Sequence, residues 1–127
     1  MATQKKILIV DDNPIARKVL EKRLKSEGYD IVVVSDPRDT MRLAAREQPD
    51  LIICDVNMPE MDGGEVAANL KQFSDKTASI PIMFLTTLIT RDVKAYASGE
   101  YTYVSKMSRP QELFTEIRKI LQIPSSS

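Results

Sequence analysis

Asp11-Asp12, Asp55, Thr86-Thr87 and Ser105-Lys106 each stand directly after a short apolar run, namely Ile7–Val10, Leu51–Cys54, Ile82–Leu85 and Tyr103–Val104. Taken singly, such residues usually end a strand or cap a helix, as Ser35 and Asp36 do after Ile31–Val34. Taken together they ask for more. If the runs are parallel strands, these positions share the carboxyl edge of one sheet, where ligands bind at the point at which strand order reverses. Three carboxylates, a hydroxyl and an ammonium then meet in one crevice. Two carboxylates about 4 Å apart repel by about 4 kcal/mol even at an effective dielectric of 20. A cation is therefore expected among Asp11, Asp12 and Asp55. Carboxylate oxygens without His or Cys suit a hard ion, and Mg²⁺ is held by one or two carboxylates, waters and a phosphate oxygen. Ca²⁺ fits less well, because the spaced acidic ligands of a calcium loop are missing.

The elements that must position these residues are legible in outline. Ile7–Val10, Ile31–Val34, Leu51–Cys54 and Ile82–Leu85 are apolar without alternation, the pattern of strands buried on both faces, and Tyr103–Val104 is a weaker fifth. Asn13-Pro14 opens a helix that closes at Gly28, with Ile15, Ala16, Val19, Leu20 and Leu24 on one face. Asp36-Pro37 opens a second helix ending near Glu47, with Asp39 in its first turn. Further helices are expected at Gly64–Phe73, around Arg91–Ala97, and at Pro110–Leu121, where Leu113, Ile117, Ile120 and Leu121 point inward. The fourth has the fewest apolar residues and should be the least stable. Ser74–Ser79 reads as a polar connection, and 123–127 as a frayed tail or the start of a linker. Five alternations of strand and helix indicate an α/β sheet with helices on both faces.

Length and composition narrow the function. A chain of 127 residues is expected to form one domain, here 1–127. Lys plus Arg and Asp plus Glu number 18 each, so no overall field draws the molecule to nucleic acid or to an anionic membrane. The apolar runs are far too short to span a bilayer. The lone Cys54 lies inside a strand and reads as a small core residue, and the expected location is the cytoplasm. Histidine is absent, which removes every mechanism that needs an imidazole base, ligand or phosphohistidine in this chain.

Ile-Leu-Ile-Val-Asp-Asp-Asn at 7–13, Asp-Val-Asn-Met-Pro-Glu-Met-Asp-Gly at 55–63, Phe-Leu-Thr at 84–86 and Tyr-Val-Ser-Lys at 103–106 resemble, in order and spacing, the motifs of receiver domains of bacterial two-component response regulators, including the chemotaxis regulators. The resemblance covers essentially the whole chain. It implies a flavodoxin-like (βα)5 doubly wound sheet of strand order 2-1-3-4-5. By the same resemblance Asp55 accepts a phosphoryl group, Asp12 ligates Mg²⁺ directly, Asp11 does so mostly through water, and the backbone carbonyl of Asn57 completes the ligands. Lys106 then pairs with one phosphoryl oxygen and Thr86 with another. A Thr86 hydroxyl drawn toward the phosphoryl group would vacate space into which the Tyr103 ring can turn, making the two a switch; a half-buried strand aromatic is the alternative reading of Tyr103. The implied donor is a phosphohistidine of a sensor histidine kinase or histidine phosphotransfer protein, docking near Ile15, Ala16 and Val19. Of Ile15 and Val19, one is expected to be core. Output to a downstream protein or domain would leave from the fourth helix, fifth strand and fifth helix, with no direct contact to nucleic acid or membrane.

Two other readings stand beside this one. Phosphatases and phosphotransferases of the haloacid dehalogenase type also use Mg²⁺ and a strand-end aspartate, but want a second aspartate where this chain has Asn57. A degenerate receiver that binds without phosphorylation would have little reason to keep Asp11, Asp12, Asp55, Thr86 and Lys106. Two residues depart from the family habit. Thr87 replaces a small residue, and Met107 replaces the proline after the lysine, so the 106–107 bond is expected to be trans, because cis costs about 2.5–4 kcal/mol before a non-proline residue.

Overall fold

The computed structural model describes residues 4–56, 58, 61, 63–86, 95–98, 101–106 and 108–122, with the backbone alone for 95–98. The strands are β1 (Lys6–Val10), β2 (Asp30–Val34), β3 (Leu51–Asp55), β4 (Ile82–Thr86), β5 (Ala95–Ser98) and β6 (Tyr101–Ser105). The helices are α1 (Pro14–Ser26), α2 (Thr40–Glu47), α3 (Gly63–Phe73), α4 (Asp75–Ala78) and α5 (Pro110–Leu121). The sheet runs β2-β1-β3-β4-β6-β5. Its first five members pair in parallel and so have the expected order 2-1-3-4-5. The sixth, β5, pairs with β6 in antiparallel fashion at the edge.

Successive strand residues face opposite sides of the sheet, and each side is covered by helices. Ile7, Ile9, Leu51, Ile53, Met83, Leu85 and Val104 pack with Leu20 and Leu24 of α1 and Leu113, Phe114 and Ile117 of α5. Leu8, Val10, Ile52, Cys54, Ile82 and Phe84 pack on the other side with Ala44 of α2 and Val66, Ala67 and Leu70 of α3. Burial on both faces is why the strands read as unbroken apolar runs. All five residues of β3 and all five of β4 are buried.

Local chemistry sets the helix ends. Asn13 Oδ1 accepts from the backbone N–H groups of Ile15 and Ala16 at 3.0 and 3.1 Å, and Pro14 takes the first helical position. Gly28, at φ 94°, makes the left-handed turn from α1 towards β2, a conformation that costs other residues strain. The second helix arrives in two pieces, a 3-10 turn at Pro37–Asp39 followed by α2.

Three expectations are corrected. The helix expected around Arg91–Ala97 is contradicted at Ala95–Ala97, which belong to β5, while 91–94 lie outside the described residues. Strand β5 forms a hairpin with β6, and only Gly99-Glu100 separates the two, a connection length that glycine favours in hairpins. Ser74–Ser79 is not a plain connection but holds the short α4, capped by the Ser74 hydroxyl, with buried Thr77 donating to the Leu70 carbonyl at 2.6 Å. Ile15 and Val19 are 75% and 42% exposed, so neither is core, because α1 turns only Leu20 and Leu24 fully inward.

Candidate functional site

The described polar residues singled out in the sequence stand at the carboxyl ends of four parallel strands. Asp11 follows β1, Asp55 ends β3, Thr86 ends β4, and Ser105 ends β6 with Lys106 next. Asp11, Asp55, Thr86 and Ser105 are buried, with Asp11 4%, Asp55 6% and Thr86 3% exposed, and Asp12 and Lys106 are half-buried. Parallel register brings them level. Thr86 pairs with Ser105 across β4 and β6, and the Lys106 backbone N–H donates to the Thr86 carbonyl at 2.9 Å. That hydrogen bond carries the lysine one step past the strand and over the crevice.

Carboxylate oxygens of Asp11, Asp12 and Asp55 lie within 4.8 Å of one another. The Lys106 Nζ stands 3.1 Å from Asp55 Oδ1 and 3.6 Å from Asp11 Oδ2. Asp11 is fixed further by the Asn13 backbone N–H, which donates to its Oδ1 at 2.9 Å. Arg17, which the sequence did not single out, donates from Nη1 to the Asp11 backbone carbonyl at 2.9 Å. Nothing in residue type or spacing distinguished it from the other cations of α1.

Burial pushes the Asp11 carboxyl above the usual carboxylate range, the Asn13 N–H and Lys106 oppose the shift, and the charges of Asp55 and Asp12 add to it. Among the described residues, three carboxylates around one ammonium leave two formal negative charges in a largely buried crevice. That surplus, on oxygen donors alone, fits a hard divalent cation of the Mg²⁺ type. Asn57, the remaining expected ligand, lies outside the described residues, as do Thr87, Met107 and the 106–107 bond. Lys106 itself points into the crevice.

Tyr103 is half-buried and stacks on Phe84, its register partner, with ring centroids 5.3 Å apart and an interplanar angle of 26°. Thr86 stands two residues beyond Phe84 on the same strand, so the hydroxyl and the stacked rings share one face of the sheet.

A doubly wound sheet with an acidic crevice and one ammonium at its carboxyl edge defines a class of signalling domain. The chain matches the response regulator receiver domain over residues 7–118 and belongs to that family. The probable transcriptional regulator ycf27 of Guillardia theta is 37% identical over 124 residues, covering 96% of this chain and 47% of the relative. The alkaline phosphatase synthesis transcriptional regulatory protein PhoP of Bacillus subtilis is 34% identical over 120 residues, covering 93% and 49%. The chain thus spans about half the length of the curated relatives it matches. Among solved structures, the chemotaxis protein CheY4 of Vibrio cholerae superposes with a TM-score of 0.80 at 28% identity, covering 93% of this chain and 99% of the other. The receiver domain of the sensor histidine kinase PA1611 of Pseudomonas aeruginosa, with a magnesium ion coordinated in its active site cleft, gives 0.78 at 25%, covering 94% and 99%. The chain is therefore a receiver domain of the two-component kind, a regulatory signalling domain of a family that works with histidine kinases. Among the described residues no helix is long and apolar enough to cross a membrane.

Proposed function

We propose that Asp55 is the phosphoryl acceptor of this domain and that it receives the group from a phosphohistidine of a sensor histidine kinase or a histidine phosphotransfer protein. The observation that carries the reading is the Lys106 ammonium 3.1 Å from Asp55 Oδ1 inside a cluster of three carboxylates. Transfer of a phosphoryl group asks for in-line placement and for cationic groups that neutralise the charge on its equatorial oxygens. Asp55 supplies the attacking oxygen from a rigid strand end, and Lys106 supplies one fixed positive charge. Asp11, Asp12 and Asp55, with the Asn57 carbonyl, would hold Mg²⁺, which when bound adds the charge neutralisation that one ammonium cannot provide alone. Thr86 donates to a phosphoryl oxygen and Tyr103 responds to its movement. On this reading the domain catalyses only its own phosphorylation and slow dephosphorylation, in the cytoplasm. Its state is read by a downstream protein or domain.

Incubation with acetyl phosphate and Mg²⁺ is expected to add one labile phosphate by intact mass, and Asp55→Asn to add none. The same modification persisting in Asp55→Asn would overturn the assignment. Tyr103 ring resonances followed by NMR in the same samples should shift only in the phosphorylated chain, and unchanged resonances would leave Tyr103 as a packing residue.

A further inference from the structure

A groove of about 250 Å³ lies between α1 and α5 and opens onto the acidic crevice. Its floor is apolar, made by Val19, Leu20, Leu85 and Leu113. Its inner end is Asp11 and Lys106, the same residues that border Asp55. Arg23 adds a second cation to the lining, and Ser108 contributes the one side-chain oxygen among the described residues that is buried without a hydrogen-bond partner. A buried hydroxyl with nothing to bond is uncommon and calls for an acceptor.

In an in-line transfer to Asp55 the leaving group lies on the far side of the phosphorus from the attacking oxygen. The groove meets the crevice at Asp11 and Lys106, so a donor whose phosphoryl group reaches Lys106 has the groove as a neighbour for its leaving portion. The lining suits a leaving portion that is anionic at its head and apolar along its tail, with Lys106 and the Ser108 hydroxyl at one end, aliphatic side chains beyond, and Arg23 farther along α1. We propose that the α1–α5 groove is an acyl subsite that makes medium-chain acyl phosphates better small-molecule donors to Asp55 than acetyl phosphate. This rests on the reading of Asp55 as the acceptor. An Asp55 carboxylate oxygen bonds to phosphorus, the bond from phosphorus to the acyl oxygen breaks, and the carboxylate departs with the electron pair. One acyl phosphate is exchanged for another, and no proton or electron is left over.

The test compares phosphoramidate with acetyl, butyryl and hexanoyl phosphate on the full chain in Mg²⁺, following phosphorylation by intact mass. The three acyl donors release acids of nearly equal strength, so differences among them report the tail. The second-order rate constant is expected to rise about tenfold from acetyl to hexanoyl phosphate, the discrimination a short apolar extension gains in a matching pocket. Val19→Trp, at a surface position of α1, should fill the groove and return the hexanoyl-to-acetyl ratio to near one, with Ala16→Leu as a second filling variant. Equal rates for the acyl series, or a ratio unmoved by both variants, would overturn the subsite while phosphoramidate still labels Asp55. Failure of phosphoramidate and of every acyl phosphate to label Asp55 would overturn the acceptor assignment and the subsite with it.

Discussion

Asp11 is where the electrostatics of the site can be read as stability. Burial first, then Asp55 and Asp12, make its carboxyl hold a proton more tightly in the folded chain than its ordinary value of 3.8. Such a group adds stability that is complete below 3.8 and is lost as pH rises through the folded value. At neutral pH without Mg²⁺ the charged, crowded Asp11 therefore weakens the fold. Asp11→Asn is expected to raise the Tm in the presence of a chelator and to flatten the loss of stability above pH 3.8. Asp36 and Glu47 impose the opposite slope, since hydrogen bonds from Arg38 and from Lys6 hold their carboxyls below the usual range. The difference between the two chains isolates Asp11. Added Mg²⁺ should then stabilise the unaltered chain more than the variant, because binding to the folded state alone shifts the equilibrium. Calorimetry with and without Mg²⁺ decides it, and a variant less stable in chelator would refute this account of the crevice.

Gly63 shows how an element holds the site. A Cβ there would sit 2.9 Å from Phe84 Cε1 and 3.2 Å from the Asp55 carbonyl, so the start of α3 rests directly against β3 and β4. Gly63→Ala forces those neighbours apart and should cost about 1–3 kcal/mol. It should also slow phosphorylation, since Phe84 and the Asp55 backbone are what must yield. Urea unfolding and the rate with acetyl phosphate check both halves, and an unchanged midpoint would show that the contact relaxes freely. At this scale the sequence was readable wherever burial left a simple pattern. The five parallel strands stood out because both faces are covered, and the strand-end acids stood out because polar residues follow apolar runs abruptly. The hairpin of β5 and β6 did not. Few apolar residues near Arg91–Ala97 left no strong period by which a strand there could be told from a helix. Ile15 and Val19 share a helical face with Leu20 and Leu24, and periodicity cannot tell which part of such a face overhangs solvent. The expected output face needs the same revision, since β5 occupies part of the stretch assigned to its helix.

Across the whole molecule, the turn after α1 is tied to α5. Tyr29 is 8% exposed and packs in the α1–α5 side of the core, while Arg118 Nη2 meets Glu27 Oε1 at 3.1 Å just beside it. That ion pair is partly exposed and adds at most about 1 kcal/mol. Burial pushes the Tyr29 hydroxyl above its usual 10.0, with Arg118 opposing the shift and Glu27 adding to it. Stability from this source is complete below 10.0 and lost as pH rises through the folded value, so alkaline solution should loosen the α1–α5 side. Tyr29→Phe is expected to flatten the decline of unfolding free energy as pH rises above about 10, the ordinary tyrosine value. Parallel curves for the two chains would assign the alkaline loss to other groups. The strand-end arrangement of the crevice carries one more implication. Asp11, Asp55, Thr86 and Lys106 are gathered from four strands that span most of the chain, β1 to β6. Contacts of such wide separation close late in folding. The crevice therefore has no half-built version, and a nascent or partly opened chain presents scattered acids rather than a weak acceptor. On the proposed function, competence to signal arrives all at once with completion of the sheet, and unfinished copies take no phosphoryl groups from the supply that serves finished ones.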